Sequence, residues 1–204
     1  MKRVRLIGLT GQSGAGKSTA AKVFEQNGFT VINADELVKK VYEQNKYCLD
    51  AVAVRFGMDI INPDGTLNRK LLAKRAFSSE KNTRALGGIV HPFVLSEFVK
   101  ELKNVSGYVV FDAPQLFESG LDIICDVIVS VVANEDVRLR RIINRDGITE
   151  EEAKQRINAQ FSEEFFRNNS DYIIENNTHG GLEKKTLNII EIIKVPYSNL
   201  FIDY

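Results

Sequence analysis

Neither sign of charge predominates in this chain of 204 residues, because 27 Lys and Arg balance 27 Asp and Glu. With a pI near 6.8, no overall field draws the protein onto nucleic acid or an anionic membrane. Any anion site must therefore be local. Long apolar runs are also missing: stretches such as Val127 to Ala133 are strand-sized, far short of the roughly 20 residues a membrane helix needs. Cysteine is scarce. Cys48 and Cys125 are far apart, in apolar surroundings, with neither a CxxC spacing nor a nearby histidine, which excludes a disulfide framework and a zinc site. Internal repeats and low-complexity tracts are absent. The first residues, Met1 to Ile7, run into glycines and charges rather than an apolar signal core, so the expectation is a cytoplasmic protein. What remains is ordinary globular usage, 44% hydrophobic and 26% charged, which excludes disordered and fibrous classes.

Strand and helix patterns alternate along the chain. Val4 to Leu9 is a short β-rich run ending in Thr10-Gly11, and helical spacing then runs from about Lys17 to a stop at Asn27-Gly28. Phe29 to Ile32 predicts a second strand, followed by helical spacing through Leu37, Val38, Val41 and Tyr42. From Tyr47 to about Lys103 the periodicity is helical, broken by the turn Asn62-Pro63-Asp64-Gly65. Tyr108 to Asp112 and Asp126 to Val132 are nearly continuous in Val, Ile and Phe, as in parallel strands covered on both faces. Helical spacing follows over Asp136 to Asn144, Thr149-Glu150-Glu151-Glu152 opens another helix with a capping box, Tyr172 to Ile174 is a last strand, and Leu182 to Ile193 a last helix. This pattern predicts an α/β protein with a roughly five-stranded parallel sheet, a helical insertion and a second excursion.

Gly11-Gln12-Ser13-Gly14-Ala15-Gly16-Lys17-Ser18 fits G-x-x-x-x-G-K-[ST] and lies between the first strand and first helix, the setting of a phosphate-binding P-loop. Glycines let the backbone turn tightly and aim N–H groups at phosphate oxygens, while the helix start adds its positive dipole end. Gly11, Ser13, Gly14, Ala15, Gly16, Lys17, Ser18 and Thr19 are thus the candidate nucleotide-binding residues. Lys17 reaches for the β/γ phosphates, and Ser18 offers a hydroxyl to Mg²⁺. A lysine reaching into a ligand site packs little core, so Lys17→Ala is expected to keep the fold. Other nucleotide users are disfavoured: no Asp is followed by Gly three places on, N-K occurs only in Asn45-Lys46-Tyr47-Cys48, and nothing resembles the L-S-G-G-Q of transporter ATPases.

A small kinase needs a base beside its acceptor and cations that close over the phosphoryl group. Asp35, three residues beyond the second predicted strand, suits an acceptor hydroxyl, and suits equally well the N-cap of the next helix. Asp112 closes the third strand, where an Asp commonly holds Mg²⁺, or else simply forms a turn before Ala113-Pro114. Arg138, Arg141 and Arg145 line one helical stripe, able to clamp ATP phosphates or to lie in solvent paired with Glu150 to Glu152. His91 interrupts a helical pattern before Pro92, and His179 lies in the polar run Asn176 to Gly181, read as a surface turn.

Gly8-Leu9-Thr10-Gly11 leading into the P-loop, Asn33-Ala34-Asp35, Leu67-Asn68-Arg69, His91-Pro92, Pro114 to Glu118 with Gly120-Leu121, and Arg145-Asp146-Gly147 together resemble the dephospho-CoA kinase family, in order and spacing covering nearly the whole chain. The resemblance implies a P-loop kinase fold, with core segments 1–34, 105–135 and 170–204, a helical CoA-binding insertion at 35–104 and a helical lid at 136–169. It implies transfer of the γ-phosphoryl of ATP, with Mg²⁺, to the ribose 3′-hydroxyl of dephospho-CoA. By the same resemblance Asp35, Lys17, Arg141 and Arg145 are catalytic, Asp35, Arg69 and His91 bind the acceptor, and Ser18 and Asp112 hold the metal. Nucleic-acid, membrane and obligate protein partners are not expected. The family usually has Asp at Asn33, Asp at Asn68 and Leu at Gln115. Another small P-loop nucleoside or nucleotide kinase, or a non-catalytic nucleotide-gated binding protein, are the alternatives.

Overall fold

A computed structural model describes residues 4–178 and 180–195. His179 lies outside the described residues, as do Met1 to Arg3 of the first run. The chain divides into two compact units, one comprising the residues up to Val31 and from Ser106 onward, the other Ile32–Val105.

The sheet has five strands, β1 (Val4–Gly11), β2 (Thr30–Asn33), β3 (Gly107–Asp112), β4 (Val127–Val132) and β5 (Tyr172–Glu175), in the order β2-β3-β1-β4-β5. It is a parallel sheet, with β1 registered on β3 through Leu9 opposite Asp112 and on β4 through Gly11 opposite Val131, and β4 on β5 through Val132 opposite Glu175. Parallel pairing brings the carboxyl ends of β1, β3, β4 and β5 to one edge, which in open α/β sheets is where ligands bind. The near-continuous apolar composition of β1, β3 and β4 has its reason in burial: Ile7, Leu9, Val109, Val110, Phe111, Val129 and Val131 are all inaccessible. Two helices of this unit, α1 (Lys17–Gln26) and α9 (Leu182–Lys194), set Phe24, Leu182, Ile190 and Ile193 into the same core.

Beyond β4 the chain forms α6 (Glu135–Asp146), α7 (Glu150–Asn158) and α8 (Glu163–Asn168). Gly147 ends α6 in the left-handed region and Thr149 opens α7 with a full capping box, its hydroxyl on the Glu152 amide and the Glu152 carboxylate on the Thr149 amide. Ile142, Ala153 and Ile157 form a small core of their own. The sequence pattern did not separate α8, a six-residue helix capped by Ser162.

The second unit carries α2 (Ala34–Gln44), α3 (Lys46–Phe56), α4 (Arg69–Ala76) and α5 (Glu80–Leu102), with α2, α3 and α4 each packed on α5. These helices form because apolar positions such as Leu37 and Val41, Cys48 and Val52, and Val90, Val94 and Phe98 recur at helical spacing and are buried. Pro92 sits within α5 without ending it. No helix among the described residues is long and apolar enough to cross a membrane. The residues expected to form the lid, 136–169, fall within the first unit.

Candidate active site

The loop between β1 and α1 is shaped by what surrounds its glycines. Gly11 has φ +144, and a Cβ on it would stand 2.2 Å from the carbonyl oxygen of Val131, so only glycine lets β1 run beside β4 at this point. Gly16 has φ +108, and its Cβ position is 2.5 Å from Asn176 Nδ2. Gly16 is also the N-cap of α1 and supplies no side chain to that helix end. Of the loop's amides, Ala15 N–H donates to the Gln12 carbonyl and Ser13 N–H to Gln160 Oε1 at 2.8 Å. The amides of Gly14, Gly16, Lys17 and Ser18 have no acceptor among the described residues. Four unmatched donors at a helix N-terminus form an anion cradle.

Lys17 and Asp112 meet as a direct ion pair, with side chains 13% and 4% exposed. Lys17 is therefore more than a side chain reaching for ligand: it also neutralises a buried carboxylate at the end of β3. Ser18 and Thr19 are exposed at the start of α1. Ser18 and Asp112 are hard oxygen donors, one hydroxyl and one carboxylate. Among the described residues no group of three or more His, Cys, Asp or Glu side chains is suited to hold a metal by itself. Mg²⁺ is usually bound through one or two carboxylates together with substrate phosphates, and the donor set here fits that pattern.

The arginine stripe divides into three environments. Arg138 is buried, donating from Nε to the Ala133 carbonyl at 3.1 Å, and burial lowers its pKa. Arg141 is half-buried, with Nη1 3.3 Å from the Gly14 carbonyl and 3.4 Å from that of Ala15. Arg145 is exposed and bidentate on Asp146, which also receives Arg156 at 2.6 Å. Hydrogen bonding from Arg145 holds the Asp146 carboxyl below its usual range. Two of the acids expected to neutralise the stripe are engaged elsewhere, Glu150 with Lys154 and Glu152 in the capping box.

In the second unit, Asn33 is the N-cap of α2, its side chain accepting from the amides of Asp35 at 2.9 Å and Glu36 at 3.1 Å. Asp35 is thus not the cap; its exposed carboxylate sits in the first turn. Arg69 is exposed at the start of α4, 3.9 Å from Glu43 Oε1. His91 is half-buried in α5, where burial pushes its pKa below the usual 6.5. A recess of about 440 Å³ in this unit, lined by residues including Arg55, Phe56, Lys74, Arg75 and Asn82, contains none of the expected site residues.

Two polar side chains against the loop were missed by sequence reasoning, Gln160 and Asn176. Asn176, just beyond β5, is buried rather than part of a surface turn, and donates from Nδ2 to the Ala15 carbonyl at 2.7 Å. The only available signal was position, a polar residue directly after a short apolar strand.

Residues 5–181 match the dephospho-CoA kinase family model. A dephospho-CoA kinase of Fusobacterium nucleatum is 39% identical over 178 residues, 86% of this chain and 91% of that protein. The dephospho-CoA kinase of Halalkalibacterium halodurans is 35% identical over 193 residues, 93% and 95% of the two chains. A crystal structure of a Thermus thermophilus protein superposes with a TM-score of 0.84 at 28% identity, covering 96% of this chain and all of that one. With the P-loop cradle, the buried Lys17–Asp112 pair and a match spanning most of its length, the chain belongs to the dephospho-CoA kinase family.

Proposed function

We propose that this kinase phosphorylates the ribose 3′-hydroxyl of dephospho-CoA with ATP, giving coenzyme A and ADP. The observation that carries the phosphoryl-transfer half is the cradle, four loop amides next to Lys17 with no acceptor among the described residues. Family membership carries the acceptor. In the reaction the 3′-oxygen forms a bond to the γ-phosphorus, the bond from that phosphorus to the β,γ-bridging oxygen breaks, and ADP leaves with the electron pair. The loop amides and Lys17 stabilise charge on the phosphoryl oxygens, where fixed donors are most effective. Ser18 and Asp112 are the residues to hold Mg²⁺, which when bound neutralises charge on the β- and γ-phosphates. Asp35 accepts the hydroxyl proton, a role supported by its exposed carboxylate and by its release from capping duty. Arg141 and Arg145 serve the closing segment 136–169, and Arg69 and His91 the acceptor within segment 35–104. The protein acts in the cytoplasm on small molecules.

The test is ADP release with Mg-ATP and a panel of acceptors. Strong turnover with dephospho-CoA supports the assignment. Turnover only with nucleosides or nucleoside monophosphates replaces it with a general nucleotide-kinase reading, and nucleotide binding without acceptor-stimulated turnover removes the catalytic reading.

A further inference from the structure

Asn176 joins the end of β5 to the phosphate loop. Its backbone N–H donates to the Val132 carbonyl at 2.9 Å, prolonging the β4–β5 ladder by one residue, so its Cα is fixed by the sheet. Its side chain, in a residue 8% exposed, reaches the Ala15 carbonyl at 2.7 Å and lies where a Cβ on Gly16 would be. The orientation of the carboxamide follows from chemistry, because turning it over would set two acceptor oxygens against each other. In a trans peptide the C=O and N–H point in opposite directions. Drawing the Ala15 carbonyl toward Asn176 therefore aims the Gly16 N–H the other way. That N–H is one of the four cradle donors without an acceptor among the described residues. Ala15 N–H, by contrast, is consumed by Gln12.

Resting on the reading of this loop as the ATP phosphate site, we propose that Asn176 is a positioning residue for polyphosphate binding. With the shorter of the two hydrogen bonds to the Ala15 carbonyl, 2.7 Å against 3.4 Å from Arg141 Nη1, it holds the Ala15–Gly16 peptide in the orientation that presents Gly16 N–H to a phosphate oxygen. The position needs a neutral donor of this length: an ionised aspartate cannot donate to the carbonyl and would add negative charge behind an anion site.

The test uses the full chain and inorganic tripolyphosphate, which engages the phosphate loop without the base or ribose, measured by calorimetry for wild type, Asn176→Ala, Asn176→Asp and Lys17→Ala. A parallel readout is the Gly16 amide resonance in ¹⁵N-labelled protein. The expectation is that tripolyphosphate moves the Gly16 amide in wild type, that folded Asn176→Ala binds about tenfold or more weakly with that shift diminished, and that Asn176→Asp binds more weakly still. KM for ATP rises in both variants. Asn176→Asp keeps the side-chain volume and supplies the same test if the alanine variant does not fold. Folded variants that bind like wild type and keep the Gly16 shift overturn the positioning role, leaving Asn176 a packing residue. A wild type that does not bind tripolyphosphate, or binds it no better than Lys17→Ala, overturns the phosphate-site reading instead.

Discussion

Removing the Lys17 side chain tests stability and catalysis at once. Both members of the Lys17–Asp112 pair are largely shielded from solvent, at 13% and 4% exposed, so the pair is not a weak surface contact. Removing one member of a buried pair leaves the other charge uncompensated and costs about 3–5 kcal/mol, so Lys17→Ala is expected to lower stability by that order. Against a total of about 5–15 kcal/mol for a domain, the protein stays folded. The chain has no tryptophan, so unfolding in urea is followed by far-UV circular dichroism. Asp112→Asn keeps an acceptor for the ammonium but removes the charge, and the double variant Lys17→Ala/Asp112→Asn is expected to cost less than the two single changes added together. The coupling should lie within the range of about 0.5–3 kcal/mol seen for residues in contact. Turnover in Lys17→Ala should fall by about 10²-fold or more, the scale for losing one fixed donor to transition-state charge. Strictly additive stabilities would refute the ion pair as a working contact. Turnover within a few-fold of wild type would refute phosphoryl transfer at this loop.

Arg138→Ala is expected to lower stability by about 1–3 kcal/mol through the loss of its bond to the Ala133 carbonyl. Arg141→Ala and Arg145→Ala should instead reduce turnover, and full activity in all three at saturating ATP would leave the stripe without a catalytic part. Asp35→Asn should change stability by no more than about 1 kcal/mol, the scale of a first-turn charge at a helix start, because Asn33 does the capping. The same variant should lose roughly 10²- to 10⁴-fold in turnover, and a loss of only a few-fold would remove Asp35 as the base. Burial depresses the His91 pKa, so between the usual 6.5 and its lower folded value the unfolded chain binds the extra proton. Stability therefore falls as pH drops through 6.5, and denaturation curves from pH 7.5 to 5 should be flatter in His91→Gln; an unchanged slope would refute the burial argument.

What was legible in the sequence was local. The P-loop is eight contiguous residues, the Thr149 capping box spans four, and the apolar spacing of each helix repeats within a turn or two, so each can be read without knowing the fold. The departures at Asn33 and Asn68 become intelligible through the same local physics. Each is a helix N-cap, Asn33 on α2 and Asn68 on α4, and asparagine and aspartate cap about equally well. Gln115, polar where the family is apolar, is exposed. What was illegible was distant: Gln160 meets Ser13 across 147 residues and Asn176 meets Ala15 across 161. No periodicity encodes such pairs, since they arise only when the fold brings the end of β5 and the segment after α7 against the loop that follows β1.

The arginine stripe marks the boundary between these two kinds of information. Spacings of three and four assign Arg138, Arg141 and Arg145 to one face, and a face alone predicts one environment for all three. Yet a helix also advances, and seven residues carry the chain roughly 10 Å along its axis. Since α6 starts just after β4, Val137 in its first turn packs against the sheet's core, and Arg138 is buried on the Ala133 carbonyl. One turn further the same face has reached the loop, where Arg141 meets the carbonyls of Gly14 and Ala15. A turn beyond that it has left the core, and Arg145 is exposed and paired with Asp146. Distance from the sheet edge, rather than helical face, thus separates a structural arginine from one that touches the phosphate loop and one exposed at the far end. Each environment therefore assigns its arginine a different loss on truncation: a bond within the buried core for Arg138, a contact with the loop carbonyls for Arg141, and an exposed ion pair for Arg145.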